Sequence, residues 1–149
     1  MIDKWDLRFL GLAKHVASWS KDPSTKVGAV IVDQDRRVVS LGFNGFPRGV
    51  EDDHERYADR ETKLRMVVHA EKNAILFALQ PLAGCVLYTW PFAPCAQCAA
   101  MVIQVGIIGV VAPEASGELL RRWGADLTTA TMMYREAGVR LELAPGSEE

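Results

Sequence analysis

Two short fragments, His69-Ala70-Glu71 and Pro94-Cys95-Ala96-Gln97-Cys98, constrain this chain most, because each makes chemical sense only at the start of a helix. Cys95 and Cys98 lie three apart, so in a first helical turn both sulfurs fall on one side and can chelate one ion. The free N–H groups of that turn and the positive end of the helix dipole stabilise thiolates, the form that binds metal. His69 and Glu71 lie two apart, which in mid-helix would place them on nearly opposite faces. At a helix N-terminus the first residue is not yet helical, and both can reach one centre. An extended run over Arg65–Val68 is expected to lead into that helix.

Three soft ligands plus one carboxylate favour a catalytic zinc centre. An ion with only three protein ligands keeps a coordination position open for water. His-x-Glu alone usually belongs to a surface helix, and a lone CxxC serves as a redox pair or as half a structural zinc site. Together they point to His69, Cys95 and Cys98 as ligands and to Glu71 as an acid and base. A structural site would need a fourth ligand, for which Cys85, His15 and His54 remain. His15 lies within the pattern of the first helix, His54 in a charged stretch, and Cys85 in an apolar run that reads as core.

The 149 residues suit one domain with a substantial core, and no linker, repeat or low-complexity stretch divides them. Residues 1–149 are therefore expected to form a single domain. Hydrophobic residues are 49% and charged residues 24%, which argues against a disordered or fibrous chain. The formal net charge is -2, with no basic run beyond Arg36-Arg37 and Arg121-Arg122, so no long nucleic acid is expected as a partner, while a mononucleotide fits. No apolar run approaches the roughly 18 residues of a membrane span and the first residues do not read as a signal peptide. No membrane partner and a cytoplasmic location are expected. Cysteine usage agrees, since a CxxC with one further cysteine suits metal or redox work and not a disulfide framework.

Apolar residues from Trp5 to Trp19 recur at helical spacing, predicting a helix over Lys4–Ser20, stopped by Pro23. Lys26–Val32 and Arg36–Phe43 read as a hairpin, and Gly42–Gly49 as a glycine-rich loop. Glu51–Arg65 carries too few apolar side chains for a core element and is expected to run over the surface. Helices over His69–Leu79, Cys95–Val105 and Glu118–Ala137 then alternate with strands over Val86–Trp90, Ile107–Ala112 and Val139–Leu143, before a frayed tail from Ala144. The order predicts an α/β fold: a three-layer α-β-α sandwich around a mixed sheet of about five strands.

With these residues in place, the chain resembles the deoxycytidylate (dCMP) deaminase family of the cytidine deaminase-like fold over most of its length. The fragments that carry the resemblance are Asp22–Ala29, Gly42–Pro47, His69–Ile75 and Pro94–Cys98. It implies one zinc ion per chain on His69, Cys95 and Cys98, and deamination of dCMP to dUMP and ammonia with Glu71 shuttling protons. By analogy the Ala70 amide would hold the cytosine O2 and Asn44 would reach sugar or base. Asn44 can equally serve an Asn-Gly turn with positive φ. Lys26 could meet a 5′-phosphate as a point charge or stay solvated. Trp90 and Phe92 either wall the base or belong to the core. The resemblance also implies a homo-oligomer, a dimer or hexamer.

Three departures stand out. The approach Tyr88–Cys95 is about one residue longer than usual in the family, the cysteines of a second zinc site are missing, and the helix around Arg121, Arg122 and Trp123 differs. Other substrates therefore stay open: cytidine, free cytosine, a triphosphate such as dCTP, a modified dCMP, or adenine in transfer RNA, where Gln97 stands in place of the usual Met. A non-catalytic zinc module of the same fold is the reading from another class, and retention of Glu71 argues against it.

Overall fold

The structure, a computed structural model, describes residues 1–146. Helix α1 (Lys4–Ala17) starts on a reciprocal cap in which Asp3 accepts from the Trp5 and Asp6 amides at 2.8 and 2.9 Å and Asp6 accepts from Asp3 N at 3.0 Å. It ends a turn earlier than its periodicity predicts, because Ser18–Ser20 wind into a turn before Pro23. The hairpin follows as β1 (Gly28–Val32) and β2 (Val38–Phe43), antiparallel, with Arg36 at φ 63 in its turn.

The segment Glu51–Arg65 runs over the surface as expected, with only Tyr57 buried, but it is helical. Two short helices form there, α2 (His54–Ala58) and α3 (Arg60–Met66), capped by Asp53 on Glu55 N at 2.8 Å and by Asp59 on Thr62 N at 3.5 Å. Tyr57 is buried and stacks on Phe46 at 4.0 Å, anchoring the segment to the glycine-rich loop. Only Val67 and Val68 are extended before His69, and Val68 bridges to Gly45.

Helix α4 (Ala70–Leu76), β3 (Val86–Trp90), α5 (Ala96–Gln104), β4 (Gly109–Pro113), α6 (Gly117–Ala137) and β5 (Arg140–Ala144) complete the chain. Ala144, placed in the frayed tail by its sequence, is buried and accepts from Glu114 N at 2.8 Å; residues 147–149 lie outside the described residues. The sheet has five strands in the order β2-β1-β3-β4-β5, antiparallel from β2 through β3 and parallel from β3 through β5. Among the described residues, no helix is long and apolar enough to cross a membrane.

Alternation along each strand sorts the core into two layers. Val30, Val32, Tyr88 and Val111 face α1 through Phe9, Leu10 and Ala13. Ala29, Ile31, Leu87 and Val110 face Ala70 and Ala74 of α4, Ala99 and Val102 of α5, and Ala130 and Tyr134 of α6. Strand β1 is buried on both faces, which explains why it reads as an unbroken apolar run. Tyr88 donates to the buried Asp6 at 2.7 Å and so ties β3 to α1; burial, and then this bond, hold its phenol well above the ordinary range.

Two glycines set how closely helices approach the sheet. A Cβ on Gly28 would lie 2.0 Å from Ala13 O, and one on Gly42 would lie 2.6 Å from both Ala70 O and Ala74 N. Backbone atoms cannot swing aside, so the space is available only without a side chain. Gly42→Ala is expected to push α4 off β2, costing about 1–3 kcal/mol in chemical denaturation and lowering zinc occupancy of the purified protein. A variant with unchanged midpoint and zinc content would show that the contact does not set the position of α4.

Candidate active site

His69 and Cys95 are each the residue before the first turn of a helix, of α4 and α5 respectively, with extended backbone (ψ 153 and 168). Neither side chain caps its helix, so both are free to point into the gap between the two helix starts. Cys98 lies one turn further along α5 and is buried. His69 Nδ1 is 3.5 Å from Cys95 Sγ and 3.3 Å from Cys98 Sγ, and all three ligand atoms lie within 4.8 Å of one another. An ion bound tetrahedrally at about 2.0–2.3 Å from N and S needs ligand atoms about 3.3–3.8 Å apart, so the donor set fits zinc in type and in spacing.

Among the described residues no fourth His, Cys, Asp or Glu joins this group. Cys85 is buried in the core beside Leu82 and Ile107, His15 is exposed on α1 against Trp19, and His54 is exposed at the start of α2. The two thiols are affected in opposite directions. Cys95, beside Cys98 and then His69, is drawn below the ordinary thiol range, while Cys98 is pushed up by the same neighbour and by burial. Hydrogen bonding to Cys95 raises His69.

A cavity of about 730 Å³, counting its open mouth, leads to this cluster. His69, Ala70, Glu71 and Cys95 line its inner end. Glu71 is 4% exposed, in the first turn of α4 and outside the ligand group; burial pushes its carboxyl above the usual range, against the pull of His69. Ala70 opens α4, where the first amides have no acceptor within the helix.

Asn44 lines the cavity, yet both ends of its side chain are engaged. Its Oδ1 accepts from Val27 N at 2.8 Å, and its Nδ2 donates to Thr25 O at 2.9 Å and to Asp22 at 3.3 Å. Its φ is not positive, so it is no left-handed turn residue. Lys26 does not line the cavity; its ammonium donates to the carbonyl of Ser20. Phe92 lines the wall and stacks on Trp123 at 6.0 Å, whereas Trp90 sits on the α1 side beneath Lys14.

Three cations that the sequence analysis assigned no role do line the cavity: Arg60 and Lys63 on α3 and Arg122 on α6. The signal for α3 was present. Arg60, Lys63, Leu64 and Val67 recur at helical spacing, and all four line the cavity. For Arg122 and Trp123 no local signal existed, since α6 reaches the site only through its packing on α5.

Lys63 is 2.8 Å from Asp22, whose carboxylate is 2% exposed and also accepts from the Ser24 and Thr25 amides at 2.8 and 3.2 Å. Lys63→Met is expected to cost about 2–3 kcal/mol in urea unfolding, because a buried carboxylate loses its cation but keeps its amide donors. A loss below about 0.5 kcal/mol would show the pair to act as a solvated surface bridge.

The profile of the cytidine and deoxycytidylate deaminase zinc-binding region matches residues 3–113. An uncharacterized deaminase encoded 3′ of luxG in Aliivibrio fischeri is 48% identical over 145 residues, covering 97% of each chain. A probable deoxycytidylate deaminase of Drosophila melanogaster is 44% identical over 118 residues, which are 72% of this chain and 58% of that one, so this chain spans less than two thirds of the fly protein. The fold is shared with the dCMP deaminase of cyanophage S-TIM5, at 22% identity and a TM-score of 0.75 over 97% of this chain and 100% of the other. By its profile, by a relative alike from end to end and by a three-donor centre that fits zinc, the chain belongs to the cytidine and deoxycytidylate deaminase family of zinc-dependent hydrolases.

Proposed function

We propose that this chain deaminates a cytosine nucleotide by hydrolysis, with dCMP and water giving dUMP and ammonia. The observation that carries the reading is Glu71, a buried carboxylate outside the ligand set yet in the same cavity wall as His69 and Cys95. A purely structural metal site has no use for such a group. His69, Cys95 and Cys98 would hold the zinc ion, which would supply Lewis acidity of the kind that brings the pKa of a water from 15.7 to about 7.

Glu71 would take a proton from the attacking water and give it to ring N3, then take the proton of the new C4 hydroxyl and deliver it to the amino group as the C4–N bond breaks. Oxygen replaces nitrogen on the ring, and ammonia departs. A shuttle of this kind is worth typically about 10²–10⁴ in rate, and a carboxyl raised by burial suits a group that must both take and return protons. The Ala70 amide is suited to donate to the base O2, because the first turn of α4 leaves it without a helical acceptor. Phe92 and Trp123 offer a flat apolar wall for the ring. Asn44 lines the same cavity and holds the Asp22–Val27 loop in place through its bonds to Thr25 and Val27.

Support for a nucleotide over a nucleoside comes from charge at the mouth. Arg60 and Arg122 are exposed cavity residues without an ion-pair partner among the described residues, and guanidinium groups match phosphate oxygens. Lys26, bound to Ser20, takes no part in this arrangement. The name deoxycytidylate deaminase borne by relatives favours the monophosphate. Self-association belongs to the same reading. It is supported by the exposed apolar residues Val38 and Phe43 on edge strand β2 and Phe77 and Leu79 beside it, and light scattering measures it.

Ammonia release from dCMP, dCTP, deoxycytidine, cytidine and cytosine tests the substrate, with dCMP expected to lead; equal turnover of deoxycytidine would defeat the nucleotide assignment. Glu71→Gln is expected to keep one zinc per chain by elemental analysis while losing at least about 10² in kcat. Replacing Arg60 and Arg122 together by Ala should lower kcat/KM for dCMP about 10–100-fold and leave the slow turnover of deoxycytidine unchanged. An equal loss on both substrates would place these arginines outside phosphate recognition.

A further inference from the structure

Helix α5 begins on a metal ligand, and this leaves its first turn without the ordinary means of satisfying its amides. The residue before a first turn is usually Ser, Thr, Asp or Asn, whose side chain accepts from the amides that follow. Here that residue is Cys95, whose sulfur faces His69 and makes no capping bond. The acceptor comes instead from another helix. Asp126 of α6 accepts from Ala96 N through its Oδ2 at 2.6 Å, across 30 residues of sequence.

Asp126 is placed there by a single face of α6. Trp123, Asp126, Ala130 and Tyr134 recur at three- and four-residue spacing; Ala130 and Tyr134 are buried against Ala99 and Val102 of α5, while Trp123 stacks on Phe92. The carboxylate therefore sits on a rigid, packed surface. The residue before α4 is His69, whose side chain makes no capping bond either.

We propose that Asp126 is a positioning residue for the metal centre: by holding the first amide of α5, it fixes the backbone between Cys95 and Cys98 and so the bite of the two thiolates. Its negative charge beside a cation bound by two thiolates acts in the same direction, favouring the divalent ion. Groups that orient metal ligands in this way typically change affinity by 10–100-fold when removed. Asp126 lies outside residues 3–113, so the device belongs to the part of this chain that the family profile does not match.

The test is zinc affinity, measured by competition with a chromophoric chelator on the full chain, together with the thiolate-to-metal absorption of the cobalt-substituted protein. Asp126→Ala is expected to weaken zinc about 10–100-fold and to shift the cobalt band. Asp126→Asn, which keeps an oxygen acceptor for Ala96 N, should recover most of that loss and restore the band. Glu136→Ala removes an exposed acid from the same helix and should leave both readouts unchanged. Should Asp126→Ala fail to fold, Asp126→Ser against Asp126→Asn reads the same property, with the shorter acceptor expected to bind zinc more weakly. Wild-type affinity and spectrum in Asp126→Ala, or an Asn variant as impaired as the Ala one, would overturn the proposal. None of these readouts depends on which nucleotide the enzyme takes.

Discussion

Two helix starts that meet end to side hold this molecule's chemistry together. Helices α4 and α5 each open on a ligand, His69 and Cys95, in the position where a short polar side chain would normally satisfy the first amides. The ligands thereby point away from their own helices and toward one another, at 3.3–3.5 Å from His69 Nδ1 to the two sulfurs. The same geometry puts Ala70 and Glu71 at the inner end of the cavity, since the first turn of α4 wraps directly around the cluster. The three-donor set and the buried carboxylate beside it follow from one junction.

That junction has to be built from backbone brought unusually close. Gly42 lets α4 lie against β2 with no side chain between them, and Ala70, Ala74, Ala99 and Ala130 fill the seam where α4, α5 and α6 pack on the sheet. Small residues at helix–sheet contacts shorten the distance between axes, and a close-packed core transmits any displacement to its neighbours. On the other face, where α1 packs through Phe9 and Leu10, nothing chemical depends on such proximity and larger side chains are used.

Around the junction the chain arranges charge in two grades. The buried Asp22 and the partly exposed Lys63 pair with each other and knit the Ser24–Val27 loop, Asn44 and α3 into one wall. Arg60 and Arg122 stand nearer solvent without such partners among the described residues, which leaves them available to an anion at the cavity mouth. The division has a physical basis: a buried charge must be paired and hydrogen-bonded to be tolerated, whereas an exposed guanidinium can wait for its ligand.

The metal centre was legible in sequence because its parts are local. A CxxC and a His-x-Glu carry their geometry in their spacing, and the alternation of strands and helices carried the three-layer sheet architecture with boundaries shifted by only a few residues. What the sequence left open was settled by packing between distant segments. Asn44 and Lys26 read as contacts by motif, yet the first has its amide committed on both sides and the second turns to Ser20. Arg60 and Lys63 reach the site because α3 runs into α4, and Arg122, Trp123 and Asp126 only because α6 packs on α5. Short-range pattern determined what chemistry this chain can perform; only the tertiary contacts, set by which helix faces bury together, decided which side chains surround it.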